Sequence, residues 1–130
     1  MTSLAGMECL RILSLSRNML KKIEKLEDVG STLQELWLSY NLISSLDGLQ
    51  ACSALTVLYI GNNKISDWGE LEKLASLPSL KDVLLQGNPI YDSAPDPATA
   101  RCMVVKRCPN IDKLDNILIT PLEREKAATL

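Results

Sequence analysis

The sequence predicts an α/β solenoid, in which a coil repeated along one axis builds a parallel concave β-sheet, short convex helices and a C-terminal helical cap. Three observations carry this reading. Leu fills 24 of the 130 positions, so the 46% hydrophobic share rests on one residue type used many times. The leucines recur at fixed spacing around an asparagine, and those asparagines follow one another after 23, 22 and 25 residues. A chain built this way stacks copies of one supersecondary unit, because no single unit buries its apolar face alone. A length of 130 residues suits one domain over 1–130, with about four full repeats over 10–90 and a cap over 91–130.

The first copy runs Leu10-x-x-Leu13-x-Leu15-x-x-Asn18-x-Leu20-x-x-Ile23. The second sets Leu33, Leu36, Leu38, Asn41, Ile43 and Leu46 at the same relative positions, and the third Leu55, Leu58, Ile60, Asn63, Ile65 and Trp68. Leu80, Val83, Leu85, Asn88 and Ile90 make the fourth. The pattern L-x-x-L-x-L-x-x-N-x-L is the leucine-rich-repeat signature. Its L-x-L core is a short strand of period 2 whose leucines point inward, while the residue between them faces out. The chain then turns back, and each Asn stands at that turn. A buried carboxamide both donates and accepts, so Asn18, Asn41, Asn63 and Asn88 are expected to form a structural ladder that satisfies turn amides and carbonyls.

Between strands, Lys25-Leu26-Glu27-Asp28 and Leu46-Asp47-Gly48-Leu49 return the chain through short helical or 3₁₀ turns. The third return is longer. There Asp67-x-x-Glu70 reads as a capping pair opening a helix with Leu71, Leu74 and Leu77 on one face, closed by Pro78. Trp68 takes the inward position of Ile23 and Leu46 and is assigned to the core. After Asn88-Pro89 that position becomes Ser93 and capping begins: Asp96-Pro97 starts a helix running to Arg107, and Pro109-Asn110-Ile111-x-x-Leu114-Asp115 supplies a last half-strand. Thr120-Pro121-x-Glu123 is a capping box for a final short helix. At the other end Leu4 and Met7 match the tail of a repeat whose strand is absent. A truncated N-terminus is therefore expected, with self-association at the uncapped edge.

Composition removes several function classes. The 14 basic and 16 acidic residues leave a formal charge of -2, with no positive field to gather nucleic acid or an anionic membrane. The chain has no His, which removes His-based acid–base catalysis, His-activated nucleophiles and imidazole metal ligands. Cys9, Cys52, Cys102 and Cys108 form no C-x-x-C pair and read as buried thiols of a reducing, cytoplasmic compartment rather than as disulfides or zinc ligands. Met1 to Leu10 carries no basic n-region or unbroken apolar stretch, and no window approaches ~18 consecutive apolar residues. No signal peptide, membrane span, metal or cofactor is expected, and with acids isolated and no nucleophile beside a base, the chain does not read as an enzyme.

With the inward positions committed to packing, recognition falls to the outward positions of the strands. One outward column reads Ser14, Trp37, Tyr59 and Leu84, and the column before it Ile12, Glu35, Val57 and Asp82. Strands ~4.8 Å apart set Trp37, Tyr59 and Leu84 side by side, an apolar strip with Val57 and Ile12 beside it and acids at its margin. An exposed strip of this kind is a partner site. A second group, Arg101, Lys106 and Arg107 in the cap, is a candidate for an acidic polymer surface.

The stretches Leu10-Arg-Ile-Leu-Ser-Leu-Ser-Arg-Asn18, Thr32-Leu-Gln-Glu-Leu-Trp-Leu-Ser-Tyr-Asn41, Val57-Leu-Tyr-Ile-Gly-Asn-Asn-Lys-Ile65, Asp67-Trp-Gly-Glu-Leu71 and Val104-Val-Lys-Arg107 carry a more specific likeness. They resemble the leucine-rich-repeat light chains of outer-arm axonemal dynein, whose short repeats are shared with a regulatory subunit of protein phosphatase 1. The resemblance implies a non-catalytic subunit in the axoneme of a cilium or flagellum, a part of the cytoskeleton, docked through its sheet face on the dynein heavy chain near the microtubule-binding stalk. It implies that Trp37, Tyr59, Leu84, Glu35, Val57 and Asp82, with Ile12 and Ser14 beside them, meet that chain, and that Arg101, Lys106 and Arg107 face tubulin. The N-terminal helix and first repeats of those light chains are absent, and Asp92 to Ala98 departs from their longer charged connection. A regulatory subunit of a protein phosphatase is the alternative reading.

Overall fold

Each L-x-L segment forms a strand only three residues long, and the computed structural model stacks these strands in chain order. It describes residues 6 and 9–130; the N-terminal positions Leu4 and Met7 lie outside the described residues. The strands are β1 (Ile12–Ser14), β2 (Glu35–Trp37), β3 (Val57–Tyr59), β4 (Asp82–Leu84), β5 (Lys113–Leu114) and β6 (Ile117–Leu118). Among the described residues they make one sheet ordered β1 to β6, parallel through β5 and closed by an antiparallel β6. The register aligns Leu13, Leu36, Leu58 and Val83 as one inward row. Leu36, Leu58 and Val83 are fully buried, and so are Leu38, Ile60 and Leu85 in the next row. A continuous core therefore runs along the axis from Ile23 to Leu114.

The asparagine ladder forms as its chemistry requires. Asn41 Oδ1 accepts from Leu20 N–H at 3.0 Å, Asn63 from Ile43 N–H at 3.0 Å and Asn88 from Ile65 N–H at 3.1 Å, each reaching one coil back. Their Nδ2 groups donate to strand carbonyls of their own and the preceding coil. Asn18 departs from the expected pattern: it is exposed, and among the described residues its amide donates to the Leu15 and Ser16 carbonyls of its own coil.

The convex side differs in detail from expectation. The Lys25–Asp28 return holds a turn from Glu27 onward rather than a helix, while the next carries an expected one-turn 3₁₀ helix, Leu49–Ala51. The long return is a 3₁₀ helix, Trp68–Ser76, so the period-3 spacing of Leu71, Leu74 and Leu77 sets one buried face. Asp67 caps it by accepting from Gly69 N–H at 2.9 Å. Glu70 does not complete a capping box. Its Oε1 accepts instead from Leu46 N–H of the previous coil at 2.7 Å and from Lys73 Nζ at 2.8 Å, stitching two coils together. Trp68 is half-buried rather than a core residue: its ring packs on the core edge, its Nε1 donates to Ser93 Oγ at 2.8 Å and the Arg107 guanidinium lies 5.2 Å over it. An indole N–H needs a partner, which keeps that edge of the ring at the surface.

The cap starts and stops where the sequence signals it. Helix α1 (Pro97–Arg107) opens on Asp96, whose carboxylate accepts from Thr99 N–H, and α2 (Pro121–Ala128) opens on a complete capping box between Thr120 and Glu123. Between them β5 and β6 form a hairpin whose two loop residues, Asp115 and Asn116, have φ of 51° and 67°, the left-handed pair that a tight two-residue turn requires. Cys52, Cys102 and Cys108 are buried free thiols, whereas Cys9 is exposed rather than packed. Among the described residues no helix is long and apolar enough to cross a membrane.

Candidate docking face

The parallel register converts outward strand positions into columns, so side chains distant in sequence become neighbours. Ser14, Trp37, Tyr59 and Leu84 align in one column, and Ile12, Glu35, Val57 and Asp82 in the other. All eight residues expected on this face therefore come together. The Trp37 and Tyr59 rings stack with centroids 6.1 Å apart and planes 22° from parallel. Trp37 remains 37% exposed and Ile12 51%, values that matter because inward neighbours such as Leu36 have none. Apolar area left in water on a rigid sheet is what a partner gains by covering it.

The polar edge of each ring is tied to an acid. Trp37 Nε1 donates to Glu35 Oε1 at 3.3 Å, and Tyr59 OH donates to Asp82 Oδ2 at 3.4 Å. Burial pushes the Tyr59 phenol up from its ordinary value, and the charge and hydrogen bond of Asp82, then the charge of Glu35, push it further. Asp82 Oδ1 and Ser39 Oγ, on the same face, are buried without a hydrogen-bond partner. Such atoms carry unmet bonding capacity that a docked chain could meet.

Sequence reasoning missed an exposed Tyr–Arg pair at the turns that follow the strands. The residue before each ladder asparagine, Arg17, Tyr40, Asn62 and Gly87 in turn, has positive φ. Gly and Asn suit that conformation; Tyr and Arg do not. Tyr40 is nonetheless held there, 49% exposed, with the Arg17 guanidinium 4.3 Å above its ring. The repeat alignment contains the signal, since Arg17 and Tyr40 stand in a column whose later members are Asn62 and Gly87.

The three cap cations do not form one patch. Arg101 turns into the cap, where Nε pairs with Glu123 Oε2 at 2.6 Å and Nη1 donates to Leu114 O at 2.8 Å. Its donors hold α2 and the β5–β6 hairpin together rather than facing outward, because a half-buried guanidinium must satisfy its fork locally. Arg107 lies on Trp68 and donates to Met103 O, while Lys106 is exposed and donates to the Leu130 carbonyl. A cleft of about 540 Å³ beside the hairpin is lined by Tyr91, Asp96, Arg101 and Asp115. Within it Tyr91 OH donates to Asp115 Oδ2 at 2.7 Å, and Asp115 Oδ1 accepts from Leu85 and Gln86 N–H.

Comparison with known proteins agrees with this architecture. A family model described as leucine-rich repeats in two copies matches residues 31–73. The chain is similar to dynein axonemal light chain 1 of Chlamydomonas reinhardtii, with 55% identity over 97% of this chain and 65% of that protein. It is 40% identical to the Homo sapiens protein of the same name, over 95% of this chain and 65% of the relative. The chain thus spans just under two thirds of the length of these curated relatives. The crystal structure of the Drosophila melanogaster SNF/U2A′ complex contains a chain of the same fold, with TM-score 0.77 and 23% identity over 99% of this chain and 73% of that one.

Proposed function

We propose that this leucine-rich-repeat chain, similar to dynein axonemal light chain 1 along nearly its whole length, is a non-catalytic subunit of outer-arm axonemal dynein. It docks the dynein heavy chain near its microtubule-binding region through the concave face and tunes the motor in the cilium or flagellum. The observation that carries the docking reading is the stacked, partly exposed Trp37–Tyr59 pair beside Leu84 on a rigid sheet. Aromatic side chains presented without mobility lose little entropy on binding, which suits them to the centre of an interface. Glu35, Val57, Asp82, Ile12 and Ser14 surround that centre. Of Arg101, Lys106 and Arg107, Lys106 is the exposed one, and a contact with an acidic tubulin surface would rest on it.

Capture on the tagged chain from an extract of flagellated cells tests the assignment. Recovery of an outer-arm dynein heavy chain is expected and should be lost with Trp37→Ala. Recovery of a protein phosphatase catalytic subunit in its place would replace the dynein reading with the phosphatase-regulator one.

A further inference from the structure

The strip is asymmetric. Trp37 turns one ring face to Tyr59, and the register sets Ser14 beside its other face. On the far side of Tyr59 the corresponding place is filled by Leu84. Ser14 is small and exposed, so no bulky side chain of β1 covers that side of the indole, a shallow notch with the Glu35 carboxylate bonded at the ring's edge. Among the described residues neither Glu35 nor Asp82 lies within ion-pair distance of a Lys or Arg. Asp82 also keeps an unpartnered oxygen. Burial first, then the Asp82 and Glu35 charges, raise the Tyr59 phenol, in keeping with two carboxylates placed along the strip.

We propose that the notch bounded by Ser14, Trp37 and Glu35 takes an arginine side chain from the docked partner, with its guanidinium plane on the indole and its N–H groups on the Glu35 carboxylate. A guanidinium fits better than an ammonium, because its plane stacks on a ring while its fork meets a carboxylate in the same geometry. An apolar side chain in that place would bury Glu35 with no counter-charge, which opposes binding. This inference rests on the docking reading above and adds the chemistry of the partner's contact.

Calorimetric titration of an outer-arm dynein heavy-chain stalk fragment into the full chain tests it at low and high salt. The variants are Glu35→Gln, Ser14→Leu and Trp37→Ala, with each arginine of the fragment replaced in turn by alanine. Glu35→Gln is expected to weaken binding about tenfold and to flatten its salt dependence. Ser14→Leu, which fills the notch, should weaken binding too, and one fragment Arg→Ala should cause a loss that does not add to that of Glu35→Gln. If Glu35→Gln and Ser14→Leu bind like the parent while Trp37→Ala does not, docking stands and the notch is refuted. If Trp37→Ala also binds normally, the docking reading itself fails. Thermal melts matching the parent's confirm that the variants are folded.

Discussion

At Asn63 one side chain serves two coils: Oδ1 accepts from Ile43 N–H, while Nδ2 donates to the carbonyls of Leu38, Ile60 and Gly61. Replacing it with Ala orphans buried groups, each costing about 1–3 kcal/mol, so Asn63→Ala should lower the unfolding free energy by roughly 2–4 kcal/mol in a denaturant titration. Asn18→Ala, at an exposed position bonded among the described residues to its own turn, should cost well under half of that. The thiols make a second test at this scale. Burial pushes Cys52 up to about 11 and Cys108 up to about 12, so neither is a thiolate at neutral pH, whereas Cys9 is exposed. Alkylation followed by mass spectrometry should modify Cys9 in the native chain and the other two only after denaturation.

The convex returns and the cap depend on close fits between elements. A Cβ at Gly48, which has φ of 104°, would lie 2.0 Å from the Ile23 carbonyl oxygen, and one at Gly30 would lie 2.0 Å from that of Ala51. Neighbouring coils touch there backbone to backbone, so Gly48→Ala combines backbone strain with a clash that no flexible side chain can relieve. It should destabilise by more than about 2 kcal/mol, read as a fall in melting temperature. In the cap, the Arg101 hydrogen bond holds the Glu123 carboxyl below its ordinary value of 4.5 against the opposing effect of burial. A depressed folded-state value means that this contribution is present above about pH 4.5 and is lost as pH falls through the lower folded value. The parent should therefore lose more melting temperature between about pH 6 and pH 3 than Glu123→Gln does. Equal losses would show that the pair does not support the cap.

Across the whole molecule, inward leucines act through their neighbours. Leu36→Ala or Leu58→Ala should cost about 2–5 kcal/mol by opening a cavity, and because each coil is held by the next, the loss should reach the array as one transition. The strands, the ladder and both cap helices were legible in the sequence because their signals are local: L-x-L has period 2, Asn marks a turn, and Asp96 and Thr120 sit where helices begin. The outward columns followed from the same spacing, which aligned Trp37 with Tyr59 before any coordinates. What escaped was cross-chain pairing. Arg101 finds Glu123 across the cap, Glu70 reaches Leu46 instead of its own helix start, and Trp68 is drawn to Ser93, none of which local spacing encodes. The most direct test of the proposed docking is the dissociation constant of an outer-arm heavy-chain stalk fragment for the parent chain and for Trp37→Ala, with a melt to confirm the fold. The docking reading predicts binding weaker by about 30-fold or more, equivalent to roughly 2 kcal/mol, in a folded variant. An unchanged constant would contradict it.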